Sequence, residues 1–337
     1  MKQQLSFASS EYGLKKRVTR REKFLSEMER VVPWSRWVAL IEPVYPKSGR
    51  VGRPPIGVER MLRMYCVQQW FGLSDEGVED ALYDSQALRH FVGIDLSRES
   101  APDATTLLKF RRLLEDNNLT AAMFEEVKAL LGEKGLLMRE GTMVDATIIA
   151  APPSTKNKDK ARDPEMHQAK KGNQWYFGMK AHIGADAESG LVHRLHVTSA
   201  NESDVAHTHK LLHGQESQAH LDAGYTGVQK REEVIQAQAE GRIAKDIAWN
   251  VATLRSKIKA LPEGPLKDLV IAAERAKAQI RALVEHPFHV LKNLFHNKKA
   301  RYKGLAKNEA QLYSLFGLVN LVIARPKLLA LDTQGAS

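Results

Sequence analysis

Cysteine is almost absent from this chain of 337 residues, which has a single one at Cys66. One cysteine excludes an internal disulfide bond and a zinc site built from several thiolates. Cys66 lies within the apolar stretch Met61–Val67, so we expect it to pack in a hydrophobic core.

Long hydrophobic runs and phosphate-binding loops are missing too. The longest apolar run, Leu315 to Ala324, is far shorter than the roughly 20 residues that a membrane helix needs. The first residues show no apolar segment of a secretory leader, so we expect a cytoplasmic protein with no membrane partner. No glycine-rich phosphate loop occurs, and a nucleotide cofactor is therefore not indicated. Aromatic residues make up only 7%, which disfavours the sugar-binding cleft of a glycoside hydrolase.

Negative charge is in deficit. Fifty Lys and Arg residues stand against forty Asp and Glu, which gives a formal net charge of +10 and an isoelectric point near 9.5. An excess of this kind favours a polyanionic partner. The length of the chain favours two modules.

Apolar residues at helical spacing predict helices over most of residues 14–133, the first of them over 14–36 with a break at Pro33. Asp103 is the expected N-cap of a later helix. Basic side chains are predicted on the outside of that helix at Lys109, Arg111 and Arg112. Two interpretations of this region remain open, a DNA-binding domain related to the helix-turn-helix proteins or a plain helical bundle with solvated charges.

Beyond Gly141 the pattern changes to strands rich in β-branched residues. We predict three successive antiparallel strands, then a strand before a glycine turn, and a possible last strand. Their ranges are Thr142–Ile149, Trp175–Ile183, Leu191–Val197, Gln218–Asp222 and Arg242–Ile247. Helices are predicted at Val205–Leu212, from Gln229 to Ala239, and from Val251 onwards. The order indicates an α/β fold in which helices cover a mixed sheet.

Three acids stand at positions where a carboxylate is costly. Asp145 interrupts an apolar strand, Asp222 ends another, and Glu285 closes a helical run at a bend that Pro287 should introduce just after it. Carboxylates brought together repel one another unless a divalent cation lies between them, and hard oxygen ligands suit Mg²⁺ or Mn²⁺. Each acid taken alone also fits a structural cap or an ion pair.

Basic residues surround the last acid. Arg281 and Lys292 are four residues before and seven after Glu285, on the same helical face. Residues 286–308 contain no acid, and the basic side chains of that segment contact either phosphates or solvent. They include Lys298, Lys299, Arg301 and Lys303.

Aromatic and histidine side chains on the predicted strands have two interpretations each. Trp175, Tyr176 and Phe177 either stack on bases or belong to the core. His182, His193 and His196 lack the spacing of a zinc site, so structural or DNA-contacting roles are favoured.

Several phrases resemble the DDE transposases of bacterial insertion sequences, in the insertion sequence 5 group, and the resemblance runs from about residue 5 to 325. The phrases are Gly-Arg-Pro-Pro (52–55), Gln-Gln-Trp-Phe-Gly-Leu-Ser-Asp (68–75), Val-Asp-Ala-Thr-Ile-Ile-Ala-Ala-Pro (144–152), Lys-Lys-Gly-Asn-Gln-Trp-Tyr-Phe-Gly-Met-Lys-Ala-His-Ile-Gly (170–184), Asp-Ala-Gly-Tyr-Thr-Gly (222–227) and Val-Glu-His-Pro-Phe (284–288).

The resemblance implies a ribonuclease H-like catalytic core with a mixed sheet over residues 140–325, with a helical insertion near 248–270. It implies an all-helical DNA-binding domain over residues 1–135, C-terminal helices and a tail at 326–337. Recognition of transposon ends would fall to the helices between about 50 and 130, where the basic candidates are Arg53, Lys109, Arg111 and Arg112.

The resemblance also implies roles for individual residues. Asp145, Asp222 and Glu285 match the catalytic acids that hold the metal ions. Arg281 and Lys292 match the arginine and lysine of the family's Tyr-Arg-Glu-Lys signature, whereas Ala278 stands at the tyrosine position. That departure bears on any function of the tyrosine, including a hairpin intermediate.

The implied reaction is metal-dependent cleavage at terminal inverted repeats, after which the freed 3′-hydroxyl attacks target DNA. The implied cofactor is Mg²⁺, with Mn²⁺ as a substitute, and the implied partner is double-stranded DNA bound by a homodimer in the synaptic complex. A retired transposase that binds DNA as a regulator without cutting it is the alternative. The presence of all three acids argues against that alternative.

Overall fold

The protein is described by a computed structural model, which covers residues 15–47, 54–138, 140–156, 158 and 160–334. The chain divides into two compact units. The first comprises the described residues of Met1–Val127 and Leu321–Ser337, and the second comprises those of Lys128–Asn320.

The first unit is helical. Its helices are α1 (Arg20–Val31), α2 (Trp34–Ile41), α3 (Val58–Phe71), α4 (Asp75–Asp84), α5 (Gln86–Val92), α6 (Ala104–Asp116) and the greater part of α7 (Leu119–Glu133). The predicted helix at 14–36 is interrupted at Pro33, as expected, because proline offers no N–H to continue the helical ladder.

Side-chain caps set where these helices begin. The side chain of Thr19 accepts a hydrogen bond from the Glu22 backbone, and Ser74 does the same for the Gly77 backbone. Asp103 accepts from the N–H of Thr106 at 2.6 Å, which confirms its predicted role as N-cap of α6.

The core of this unit is aromatic and sulfur-rich. Met28, Trp37, Tyr65 and Trp70 are almost fully buried. Cys66 is buried beside them, as predicted, and burial raises the pKa of its thiol. A thiol held protonated in this way is a packing group and not a nucleophile.

Arg111 corrects one prediction. It is 6% exposed, not on the outside, and its guanidinium donates two hydrogen bonds to Asp75, at 2.6 and 3.0 Å. The reason is geometric, because position 111 lies four residues after the buried Leu107 and three before the buried Leu114, on the face that packs inwards. Lys109 and Arg112 are exposed as predicted. Arg53 lies outside the described residues.

The second unit contains a six-stranded mixed sheet. Its strands are β1 (Gly141–Ala150), β2 (His167–Lys171), β3 (Gln174–Asp186), β4 (Val192–Ser199), β5 (Gln218–Leu221) and β6 (Ala248–Val251). Their order is β2-β3-β1-β5-β6, and β4 pairs with the other edge of β3. The antiparallel arrangement of β1, β3 and β4 confirms the three predicted strands, whereas β5 runs parallel to both β1 and β6.

Strand β2 was not predicted from the sequence, and two further elements differ from prediction. The last strand is Ala248–Val251, not Arg242–Ile247. The backbone N–H groups of Arg242 and Ile243 instead bond to Ala237 at the end of helix α8 (Glu232–Ala239), while Ile243 and Ile247 fill the core as loop side chains. The predicted helix at Val205–Leu212 is a 3₁₀ turn, Asp204–Lys210.

Helices complete the second unit. They are α9 (Arg255–Lys259), α10 (Pro265–Arg281), α11 (Glu285–His289) and the first half of α12 (Leu305–Gln334). By length and composition α12 is apolar enough to cross a membrane, but 61% of its most apolar window is buried, as in the core helix of a globular protein. The mixed sheet with a helical N-terminal region and a C-terminal helix confirms the predicted α/β class.

We predict that Arg111→Ala lowers the free energy of unfolding by about 2–3 kcal/mol, because it leaves the partly buried Asp75 without its ion-pair partner. Urea denaturation measures this. Arg112→Ala, which removes the neighbouring exposed arginine, is the matched control and should change stability by less than about 0.5 kcal/mol. Equal effects of the two substitutions would contradict a structural role for Arg111.

Candidate functional site

The pairing of β1 with β5 aligns two of the predicted acids. Thr142 lies level with Ala219, and Met143 with His220, in parallel register. The pairing ends at Met143 and His220, two residues before Asp145 on β1 and two residues before Asp222. Because parallel strands run in the same direction, both acids follow the paired segment at the same edge of the sheet.

Local hydrogen bonds orient both carboxylates. The Asp145 side chain accepts from the N–H of Ala146 at 2.7 Å. Asp222 is the N-cap of the 3₁₀ turn Ala223–Tyr225 and accepts from the N–H of Gly224 at 2.8 Å. A Cβ atom at position 224 would lie 2.9 Å from that carboxylate oxygen, so glycine is what allows the turn to close on Asp222.

Glu285 lies where the helix type changes. The chain passes from α10 through a 3₁₀ turn, Ala282–Val284, and α11 then starts at Glu285 itself. We expected a bend just after Glu285, whereas the change of helix type lies just before it. Pro287 is buried in the first turn of α11, where its missing N–H breaks no helical bond. The Glu285 side chain is exposed and forms no hydrogen bond or ion pair within the described chain.

The pKa of Asp145 responds to the charges of the other candidate residues. The pKa of Asp145 is raised to about 6, first by burial and then by the negative charges of Glu285 and Asp222. The bond from Ala146 and the positive charge of Arg281 oppose that shift. Asp222, Glu285 and Arg281, which are far from Asp145 in sequence, therefore lie close enough for their charges to act on its carboxyl group.

The acids do not form a closed cage as they stand. Over the residues that the structure describes, no three Asp, Glu, His or Cys side chains converge closely enough to surround a metal ion. The chemistry of these residues nevertheless suits a divalent cation. Carboxylate oxygens are hard ligands, and burial and the nearby negative charges disfavour the ionised form of Asp145 unless a positive charge compensates.

Tyr225 lies against this cluster and was missed from the sequence. It is 3% exposed, and within the described chain its hydroxyl has no hydrogen-bond partner. Burial raises the pKa of Tyr225 well above its usual value, and the charges of Asp204, Asp145 and Asp222 act in the same direction. The only sequence signal was its position three residues after Asp222, where an aromatic residue resembles ordinary core.

Lys292 reaches the same face of β1. Its ammonium donates to the Thr147 hydroxyl at 2.6 Å and to the Ile148 carbonyl at 3.0 Å, and Thr147 is two residues from Asp145. The pKa of Lys292 is lowered by burial and by the positive charges of Lys171 and Lys298, while Glu285 opposes this. The basic side chain is thus held beside the acids.

The segment after Lys292 runs along the end of β1. Lys299 forms a β-bridge with Ala150, and the N–H of Ala300 bonds to the Ala150 carbonyl at 2.8 Å. The side chains of Lys298, Lys299 and Lys303 are exposed, and that of Arg301 is half-buried.

The strand histidines make internal contacts. His182 bonds through Nε2 to the Thr198 hydroxyl at 2.8 Å, and His193 bonds to the Thr142 hydroxyl at 3.1 Å. Burial above all lowers the pKa of His182 to about 3 and that of His196 to about 4, so both are uncharged at neutral pH. These contacts agree with the structural role favoured from the sequence.

Comparison with known proteins gives two family matches. The model described as Transposase DDE domain matches residues 137–321. A second, described as Transposase domain (DUF772), matches residues 13–113. No solved structure matches the chain. The DDE match covers more than half of the chain and contains Asp145, Asp222 and Glu285, so this protein belongs to the family of DDE-domain transposases of insertion-sequence type.

Proposed function

We propose that this transposase cuts DNA at the terminal inverted repeats of its element and joins the freed 3′-hydroxyl to target DNA. The observation that supports this most directly is the parallel pairing of β1 with β5, which ends two residues before Asp145 and two before Asp222, together with the influence of Asp222 and Glu285 on the Asp145 carboxyl group. The order of the strands, with three antiparallel strands followed by two parallel to β1, supports a ribonuclease H-like core.

Asp145, Asp222 and Glu285 would hold the divalent cations, Mg²⁺ or Mn²⁺. Bound ions of this type activate the attacking hydroxyl and stabilise the leaving oxygen of a phosphoryl transfer. The protein's own contribution is placement, because β1 and β5 fix two carboxylates on a rigid sheet while Glu285 adjusts from a helix end.

Basic side chains would hold the DNA. Arg281 lies close enough to Asp145 to influence its pKa, so it can bind a phosphate next to the acids. Lys292 is positioned by Thr147 on the same face. Further phosphate contacts are assigned to Lys298, Lys299, Arg301 and Lys303, and in the first unit to Lys109, Arg112 and Arg53.

The buried Arg111 is no longer among these candidates, because its guanidinium is committed to Asp75. We further propose a homodimer in the synaptic complex with DNA, action at the nucleoid in the bacterial cytoplasm, and membership of the insertion sequence 5 group. The group assignment rests on the phrases quoted above, such as Asp-Ala-Gly-Tyr-Thr-Gly at 222–227.

The wild-type protein should cleave a labelled duplex that carries the element's terminal inverted repeat when Mg²⁺ or Mn²⁺ is present, but not in EDTA. Asp145→Asn, Asp222→Asn and Glu285→Gln should each lower the cleavage rate by at least about 10³-fold, because each removes a metal ligand. Retention of DNA binding in a gel-shift assay is the control for folding. Wild type and Asp145→Asn that bind equally and are equally inert would favour a retired, regulatory transposase.

Metal binding should also appear in thermal stability. At pH 8 without metal, Asp145→Asn should melt a few degrees above wild type, because the ionised, partly buried carboxylate beside two others destabilises the fold. Millimolar Mn²⁺ should raise the melting temperature of wild type and leave that of the variant unchanged. Equal stabilisation of both proteins by Mn²⁺ would place the metal elsewhere.

Lys292→Gln tests the phosphate contact, since glutamine can still donate to Thr147 but carries no charge. We expect weaker binding to inverted-repeat DNA, with a plot of log affinity against log salt whose slope is smaller by about 1. Lys245→Gln, at an exposed position away from the acids, is the matched control. An unchanged slope for Lys292→Gln would remove this residue from the phosphate contacts.

A further inference from the structure

The β2–β3 hairpin, residues 167–177, carries a feature that the reaction described above does not use. We propose that this hairpin is a DNA-binding ribbon in which Lys170 and Lys171 bind phosphates of the strand being cut and Trp175 stacks on a base next to Asp222. The proposal rests on the proposed function in one respect, since it takes Asp222 to mark the place of cleavage.

The hairpin extends past the body of the sheet. β1 pairs with β3 only over residues 178–186, and β4 only over 179–185. Before residue 177, β3 pairs within the described chain with β2 alone. Residues 167–175 are exposed apart from the half-buried Ala169, so both faces of this two-stranded ribbon meet solvent. A strand pair that buries neither face gains little from the core, and its exposure calls for another explanation.

The composition of the hairpin suits a polyanion. Residues 167–177 contain no acid, and the lysines at 170 and 171 form no ion pair within the described chain. The charge of Lys171 lowers the pKa of Lys292, and so does that of Lys298, so three positive charges meet with only Glu285 to offset them. Repulsion among like charges of this kind is relieved when they bind phosphates.

The hairpin also borders the candidate site. A cleft of about 500 Å³ is lined on one side by Lys170 and Trp175 and on another by Asp222 and Tyr225. Lys170 and Trp175 are directly opposite each other in the ladder, so they share one face of the ribbon. That face is the one that borders the acids.

Trp175 has the properties of a stacking residue. It is 63% exposed, and it lines the same cleft as Asp222. Aromatic side chains of this kind stack on bases without sequence preference. A two-stranded ribbon is also narrow enough to enter the major groove of DNA. Lysines on phosphates and an indole on a base would together hold one strand end beside the acids.

The test measures binding apart from cutting. Wild type, the double variant Lys170→Ala/Lys171→Ala, Trp175→Ala and Trp175→Phe are compared in EDTA by fluorescence anisotropy. The probes are a duplex that carries the terminal inverted repeat and the same duplex with 2-aminopurine at the cleavage end. Lys230→Ala/Lys245→Ala, which removes the same charge from exposed positions outside the hairpin, is the matched control.

The double lysine variant should reduce the slope of log affinity against log salt by about 2, while the control leaves it unchanged. Trp175→Ala should lower affinity by about 10-fold and abolish quenching of 2-aminopurine, and Trp175→Phe should restore much of both. Melting temperatures within a degree or two of wild type are expected for all variants, since the replaced side chains are exposed.

The experiment distinguishes failure of the hairpin proposal from failure of the proposed cleavage function. If wild type cuts the inverted repeat in Mg²⁺ while the hairpin variants bind and cut as wild type does, the hairpin proposal is overturned and the proposed function stands. If wild type does not cut but the hairpin variants still lose salt slope and 2-aminopurine quenching, the hairpin proposal is supported and the cleavage function fails.

Discussion

The parallel pairing of β1 with β5 is the constraint on which the candidate site depends. Parallel strands end at the same edge of a sheet, so the register that aligns Met143 with His220 also brings Asp222 beside Asp145. Two carboxylates at this spacing repel each other, and burial adds to the cost, as the raised pKa of Asp145 shows. Holding these charges close together therefore lowers the stability of the fold locally.

The three acids are held with different degrees of rigidity. Asp145 is on an inner strand of the sheet and pairs with Ile183 of β3, and Asp222 is fixed by the turn that closes over Gly224. Glu285 instead projects from the first residue of a helix that follows a 3₁₀ turn, and its side chain is exposed. If these acids bind a metal ion as proposed, two of the ligands are fixed by the sheet and its turn, and the third is free to adjust.

Much of the fold follows from residue patterns, because β-branched runs form strands such as β1 and caps such as Asp103 begin helices. The pattern fails where tertiary contacts decide. The residues of β2 have no apolar alternation, and they form a strand only because β3 offers a ladder partner. Arg242–Ile247 was predicted as a strand, yet Ile243 and Ile247 pack in the core from a loop.

The acids of the candidate site could be proposed from the sequence, but their approach in space could not be worked out from local patterns. Asp145 and Asp222 stood out because a carboxylate within or at the end of an apolar strand is costly, and Glu285 stood out from its place at the end of a helical run. The approach of Asp222 to Asp145 depends on pairing between residues 77 apart in sequence, such as Thr142 and Ala219, which no local pattern encodes. That expectation came from the family resemblance. Two features could not be predicted from the local sequence. An aromatic residue such as Tyr225 is normally interpreted as part of the core, and an arginine on a helix such as Arg111 is normally expected to face solvent.

The charges around the acids form a second, opposite arrangement. Burial and the positive charges of Lys171 and Lys298 lower the pKa of Lys292, so its surroundings disfavour a cation, just as those of Asp145 disfavour a carboxylate. In the proposed function, divalent ions would relieve the repulsion among the acids, and DNA phosphates would relieve the repulsion among the lysines. A metal-bound DNA backbone would supply both at once. DNA and metal would then bind together more favourably than either one alone, because each ligand would offset the charge that the other introduces.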